Sequence, residues 1–337
     1  MSPAPRATAP LAHALAALLV ALLPGAAGAQ EPVPVAFVVN DALTKDKVHE
    51  GVKITVRAGA TGDAPAAEGQ TDAAGRLEVR LAPGAYRVTY EKLGYVPIPD
   101  SPLEVREAGQ LVTTTLTLDL ESAAPAGAPV RRTVLVILNW GSDRARHVRD
   151  LDSHLAHPTA GHVYFARRQL ALTPTAAAHD SSAPAPEANL DVDDTDWGGP
   201  ETITLHDPPP GRYQYWVHDF SEGPGTIATS DVVVRVVAGA AVLGEFRPPP
   251  TATGRDWRPF AWLELDEHGG PSLVPFTPEE LAAGADRTHD PTVEDVLDRS
   301  DDPDGEVVAC LVCSLATALL LVLGAGVAAY RAGRRAG

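Results

Sequence analysis

Cysteine is nearly absent: Cys310 and Cys313 are the only two, and both sit in an apolar run near the end of the chain. Everything before that run must be held by its cores and not by disulfides, even in an oxidising compartment. A cysteine nucleophile is excluded there as well. Aromatic residues make up only 5% of the chain, so candidates for a ring-stacking platform are few. Positive charge is also in short supply, with lysine scarce beside arginine. The 27 Lys and Arg face 44 Asp and Glu, a formal net charge of −17. That balance argues against nucleic acid or an anionic lipid surface as the main partner, and suits cations and basic partners. The sequence has no His-Glu-x-x-His, no Gly-x-Ser-x-Gly, no phosphate-binding loop and no dinucleotide-binding glycine pattern. The chain is therefore read as non-catalytic.

Two apolar runs give the topology. Arg6 precedes Leu11 to Leu23, Pro24 breaks that run, and Ala27-Gly28-Ala29 follows. This is the pattern of a secretory signal over residues 1–29; a retained N-terminal anchor is the alternative. Residues 307–330 carry no charge and as a helix would span about 36 Å, enough to cross a bilayer of roughly 30 Å. Arg331, Arg334 and Arg335 follow it, and carboxylates dominate the stretch before it. The positive-inside rule puts the basic tail 331–337 in the cytoplasm and the intervening chain outside, periplasmic or on the cell surface. Cys310 and Cys313 would share a helix face, where they could pack, crosslink a dimer or accept a lipid. An acidic spacer, a cysteine, an apolar helix and an arginine cluster also resemble C-terminal sorting tags that a membrane protease removes at the cysteine.

Between these runs the pattern is short strands and turns. Val35 to Val39, Val52 to Val56, Leu77 to Leu81, Tyr86 to Tyr90 and Val112 to Leu120 alternate or run apolar, divided by turns such as Thr71 to Gly75 and Pro83-Gly84. Residues 30–121 are thus expected to form a β-sandwich. Gly51-Val52, Thr71-Asp72-Ala73-Ala74-Gly75, Leu81-Ala82-Pro83-Gly84-Ala85-Tyr86 and Gly94-Tyr95 resemble the carboxypeptidase regulatory-like, or transthyretin-like, module. That resemblance implies an accessory β-sandwich with no site of its own.

Residues 122–131 read as a linker of small residues and prolines, expected to leave two separate folding units. Strands resume with Val134 to Trp140, nearly continuous in apolar residues as a strand buried on both faces would be. Tyr213 to Val217, Val232 to Val237 and Trp257 to Leu265 are further strands, and Thr173 to Asn189 reads as an inserted surface loop. Residues 132–268 make the second unit; 269–306 read as an acidic, Pro-rich stalk with one helical turn or two at Pro278 to Ala283. The predicted class is all-β: two β-sandwiches in tandem plus one C-terminal transmembrane helix.

The second unit holds the chemistry. On a strand, Asp150, Asp152 and His154 would share one face, with Leu151 and Leu155 on the other. In Leu190 to Asp196, alternation turns Leu190 and Val192 inward and Asp191 and Asp193 outward, with Asp194 in the following turn. Three readings stay open. The carboxylates are solvated turn residues; or they hold calcium, which takes about six to eight oxygens; or His154 or His162 joins Asp152 in a zinc or manganese site. The last would permit a metal-dependent hydrolase with Glu201 or Asp194 as base.

Asn139-Trp140, Asp150-x-Asp152-x-His154, Leu190 to Thr195, Gly199-Pro200-Glu201-Thr202-Ile203, Pro210-Gly211-Arg212-Tyr213 and Val217-His218-Asp219-Phe220-Ser221 together resemble the YfaP-like family of bacterial secreted domains. The long Ala/Pro insertion before Asn189 departs from that pattern. The resemblance implies a β-sandwich and no settled activity. The expected function is a membrane-anchored, non-catalytic binding or adhesion protein of the cell envelope, with calcium as its possible cofactor. A purely structural envelope spacer is the further alternative. Its ligand would be an extracytoplasmic protein or a polysaccharide, for which Trp197 and Trp216 are candidate platforms.

Overall fold

The computed structural model describes residues 31–59, 64–106, 108–120, 132–157, 160–172, 186–221 and 223–286. The signal, the linker, the inserted loop from 173 to 185, residues 287–306, the apolar run 307–330 with both cysteines, and the basic tail lie outside them. Among the described residues no helix is long and apolar enough to cross a membrane.

The described residues are almost all β, with one short 3-10 turn and one short helix, α1 (Pro278–Ala282). The N-terminal unit holds β1 (Val33–Asp41), β2 (Lys53–Ala58), β3 (Pro65–Gln70), β4 (Arg76–Leu81), β5 (Gly84–Glu91), β6 (Ile98–Val105) and β7 (Gln110–Leu116). They form two sheets, ordered β4-β1-β7 and β3-β2-β5-β6. Val35, Phe37 and Val39 of β1 and Ile54 and Val56 of β2 point into one core, as period-two alternation dictates. Gly75 shows why the turn before β4 needs glycine: its φ is +67°, and an added Cβ would stand 2.6 Å from Val48.

The C-terminal unit runs through β8 (Thr133–Asn139), β9 (Leu151–His157), β10 (Gly161–Val163), β11 (Gln169–Ala171), β12 (Glu187–Val192), β13 (Glu201–His206), β14 (Gly211–Asp219), β15 (Val233–Ala238), β16 (Ala241–Phe246), β17 (Asp256–Trp257), β18 (Trp262–Leu265) and β19 (Pro271–Val274). One sheet is ordered β11-β12-β13-β8-β15-β16; the other is β10-β9-β14-β18-β19, with β17 also paired to β14. Their facing side chains build the largest core, including Trp140, Leu151, Leu155, Ile203, Tyr213 and Tyr215.

Three expectations need correction. Residues 271–274, read as the start of a stalk, form β19 and pair with β18 from Leu265↔Pro271 to Trp262↔Val274. Pro271 is tolerated because β19 is an edge strand. The inserted loop ends earlier than Asn189, since β12 already begins at Glu187 and pairs with β13. The two units also share a core. Ala42 and Val96 of the first pack with Leu135, Ile137 and Val237 of the second. This accounts for the continuous apolar run of β8. Val134, Val136 and Leu138 face their own core, while Leu135 and Ile137 face the neighbouring unit.

Polar contacts reinforce that junction. Arg235, 2% exposed, donates from Nε and Nη2 to Glu245 Oε2 at 3.3 and 2.8 Å. Ser101 Oγ donates to Glu245 Oε1 at 2.9 Å, and Thr115 Oγ1 donates to Asn139 Oδ1 at 2.5 Å. Arg106 forms a two-pronged pair with Asp231.

Candidate metal centre

Ser153 explains where the site lies. β10 covers β9 only at Leu155, Ala156 and His157, so that edge of β9 is open one turn of the pleat earlier. The Glu201 carboxylate fills the gap, accepting the Ser153 N–H at 2.5 Å through Oε2. Glu201 opens β13, and alternation places it on the same side as Ile203 and Leu205, toward the core; it is 0% exposed. The turn before it is fixed by packing: at Gly199, φ +72°, an added Cβ would meet the Trp140 ring at 2.9 Å.

Asp152 of β9 and Asp193, just past β12, converge on the same point. One oxygen each from Asp152, Asp193 and Glu201 lie within 4.8 Å of one another. Asp152 is 3% exposed and Asp150 8%. Asp152 Oδ2, Asp193 Oδ1, Glu201 Oε1 and Asp150 Oδ1 are buried atoms without a hydrogen-bond partner. Arg168 reaches the other Asp193 oxygen at 3.7 Å and Lys45 reaches Asp194 at 3.7 Å, both from the exposed side. Inside the cluster, acidic oxygens face one another.

The proton affinities register this crowding. Burial, then the neighbouring Asp150 charge, pushes Asp152 up to about 7. Burial, then Asp193, pushes Asp150 up to about 6. Burial, then Asp152, drives Glu201 well above the usual carboxylate range. Burial also raises Asp194. Such groups share protons or hold a cation, because ionised carboxylates this close repel strongly in a dry setting.

The residues singled out in the sequence divide. Asp152 and Asp193 come together with Glu201; Asp150 and Asp194 lie outside that group, though Asp193 and Asp194 both raise the proton affinity of Asp150. Asp191 does not share a face with Asp193: a bulge falls between Leu190 and Val192 and the strand ends there, so alternation stops. Asp191 instead lies beside Thr204 and His206, and burial raises its proton affinity. His154 shares the outer face of β9 with Asp152, as expected, but it serves a different cluster. Its Nδ1 lies 2.9 Å from His162 Nε2, and both imidazoles stack between Tyr164 and Trp216, at ring separations of 4.4 to 5.6 Å. Burial pushes His154 down to about 2 and His162 down to about 4, so both are neutral rings at pH 7. His218 pairs instead with Asp256 at 2.8 Å. Trp216, 4% exposed, is spent on this stack and offers no platform. Trp197 is half-buried, with the Arg144 and Arg149 guanidinium groups at 4.6 and 5.8 Å from its ring.

The sequence marks Glu201 as a base candidate and as part of the Gly199 to Ile203 string, not as a ligand beside Asp152. Its signal was its parity with Ile203 and Leu205, which marks an acidic residue at an inward strand position.

No protein-family model matches the chain, and no curated protein does. Solved structures give several distant likenesses. The Bacillus anthracis TIE protein is 12% identical, over 60% of this chain and 31% of that protein, with a TM-score of 0.23. A DUF3823 family protein from Parabacteroides merdae is 9% identical, over 63% of this chain and 94% of its own, with a TM-score of 0.20. A variant of BcpA, the major pilin subunit of Bacillus cereus, is 11% identical, over 73% and 97%, with a TM-score of 0.21. The chain thus spans about a third of the TIE protein's length, and scores this low support no inference about function.

Proposed function

We propose that this protein is an exported, non-catalytic binding protein of the cell envelope, tethered by residues 307–330, whose second unit is cross-braced by calcium. One observation carries the calcium reading: Asp152 comes from one sheet, Glu201 from the other and Asp193 from the end of β12, and no N–H or hydroxyl of the chain donates to their inward oxygens. A cation there would clamp the two sheets together. The donors are all carboxylate oxygens, which suit a hard cation; the gathered group contains no imidazole, which removes the feature that favoured zinc. Water and the second carboxylate oxygens would complete the coordination. The tandem-sandwich architecture and the kinship to carboxypeptidase regulatory-like and YfaP-like modules belong to the same proposal. They rest on the turn and strand motifs and on two pairs of sheets, each pair enclosing its own core.

The test is direct. Full-length protein, purified without chelator, is analysed for metals and titrated with calcium, magnesium and zinc by calorimetry. One calcium per chain, lost in Asp193→Ala, is the expected result. Zinc at one per chain would restore the hydrolase reading, and no bound metal with no titration heat would remove the site altogether. For the tether, a chain stopped after Glu306 should leave the membrane fraction; if it stays, residues 307–330 are not the anchor.

A further inference from the structure

A cleft of about 420 Å³ opens between the two units, within the size range of ligand sites and at a typical place for one. One wall is β7, an edge strand paired only with β1 in its sheet. Leu116 O accepts the Ala42 N–H just past the end of β1, so even-numbered residues of β7 turn their backbone groups toward β1. The odd-numbered ones turn theirs toward the cleft. Thr115 O confirms this, since it accepts Arg235 Nη1 at 3.4 Å from the far side. The edge is closed at its end, where Thr115 is 1% exposed and the Val96 N–H donates to Thr117 O at 3.0 Å, and open farther back, where Leu111 is 41% exposed. Such an edge is a template for another strand.

The cleft is also cationic in a chain of formal charge −17. Arg87, Arg106, Arg235 and Arg247 line it, against Glu104 and Asp231 in the lining and Glu245 just behind it, paired with Arg235 and Arg247. Arg106 is occupied by Asp231, and Arg235 by Glu245. Arg87 and Arg247 are instead steadied by backbone, donating to Asp100 O at 3.1 Å and Pro102 O at 2.9 Å. Arg247 shares that same nitrogen with Glu245, and among the described residues no other hydrogen bond engages either side chain.

We propose that the cleft receives an extended acidic peptide segment, added as a strand to the open part of the β7 edge at Leu111 to Thr113, with its carboxylates against Arg87 and Arg247. This goes beyond the calcium-braced reading and is independent of it, because none of the clustered carboxylates lines the cleft. Main-chain pairing would supply affinity and the arginines selectivity.

The test uses the full chain and fluorescein-labelled peptides of alternating Val and Asp, or Val and Ser, followed by anisotropy in calcium and again in chelator. The Val–Asp peptide should bind saturably, at least about tenfold tighter than the Val–Ser peptide. Thr113→Pro, which removes an outward N–H from an edge strand where proline is tolerated, should abolish binding. Arg87→Glu, at an exposed position, should weaken it by about tenfold or more. No binding up to about 1 mM peptide overturns the proposal, as does equal binding of both peptides. Undiminished binding by both variants, or full displacement by succinate at peptide concentrations, does so too, since a simple anion site would then suffice. Loss of binding only in chelator would tie the cleft to the cation and overturn its independence.

Discussion

Glu245 at the junction and Glu201 in the second unit are both acidic side chains withdrawn from water, and their surroundings are opposite. Glu245 meets Arg235, Arg247 and Ser101. Glu201 meets one backbone N–H and two more carboxylates. Burial raises the proton affinity of both, but the two arginines reverse the effect at Glu245 and hold it below the ordinary range. At Glu201 the neighbours add to it. A buried charge with its partners supplied by the chain is a structural device. One whose neighbours repel it is an incomplete device, and the missing part is a proton or a cation.

The largest effect should come from dismantling the complete device. Glu245→Ala leaves Arg235 buried without its carboxylate, at a cost of about 3–5 kcal/mol, measured by urea unfolding. A loss under about 1 kcal/mol would mean that the pair behaves as a surface pair. The pH dependence follows from the lowered proton affinity. The contribution is complete above the unfolded glutamate value near 4.3 and is lost as pH falls through the lower folded value. The junction should therefore loosen first in acid.

Next in size is the cation. At one hundred times its Kd, calcium should stabilise the fold by about 2.7 kcal/mol, read as a higher melting temperature than in chelator. Asp152→Ala and Asp193→Ala should erase the difference. The pH trend is opposite to that of Glu245. Asp150, Asp152 and Glu201 are raised above their unfolded values, so in chelator stability declines as pH rises from near 4 through about 7. Calcium should flatten that decline. A chelated protein insensitive to pH over this range contradicts the cluster's crowding.

Smaller again is the effect of making Glu201 neutral. Glu201→Gln keeps an acceptor for the Ser153 N–H and removes one of the facing charges. In chelator the variant should match or exceed the parent by about 1–2 kcal/mol, while losing its calcium response. Retention of that response would show that Asp152 and Asp193 suffice and that Glu201 only caps the β9 edge.

Much of this contrast was legible in the sequence, by period-two alternation. It put Leu151 and Leu155 in the core and marked Asp152 and His154 as companions on one face. It failed where the strand stopped being regular: the bulge before Val192 separates Asp191 from Asp193, and no periodicity announces a bulge. It also could not say what covers a strand's second face. Leu135 and Ile137 signalled a doubly buried β8, but that the cover is the neighbouring unit depends on contacts between Ala42, Val96 and residues far along the chain. The convergence of Glu201 with Asp152 is of the same kind, since it joins strands of opposite sheets across a gap left by the short β10. The linker looked like a separator because its own residues have nothing to bury; the surfaces that dock lie elsewhere.

The smallest effect tests whether the junction and the acidic cluster communicate. Lys45, between β1 and β2, is the cation that the first unit extends toward the acidic loop: its Nζ lies 3.4 Å from Asp193 O and 3.7 Å from Asp194 Oδ1. Its side chain is 50% exposed, so water and salt screen it, and exposed pairs of this kind contribute about 0–1 kcal/mol. Lys45→Ala should leave the melting temperature in chelator nearly unchanged. Calcium should bind slightly tighter, by less than about threefold, because a positive neighbour has been removed. The difference should vanish in about 1 M salt, where the screening length is roughly 3 Å. A calcium affinity at least about tenfold weaker in the variant would reveal another arrangement, in which the first unit holds the Asp193 loop in its binding conformation. Junction and cation site would then form one device, and Glu245→Ala should weaken calcium binding as well.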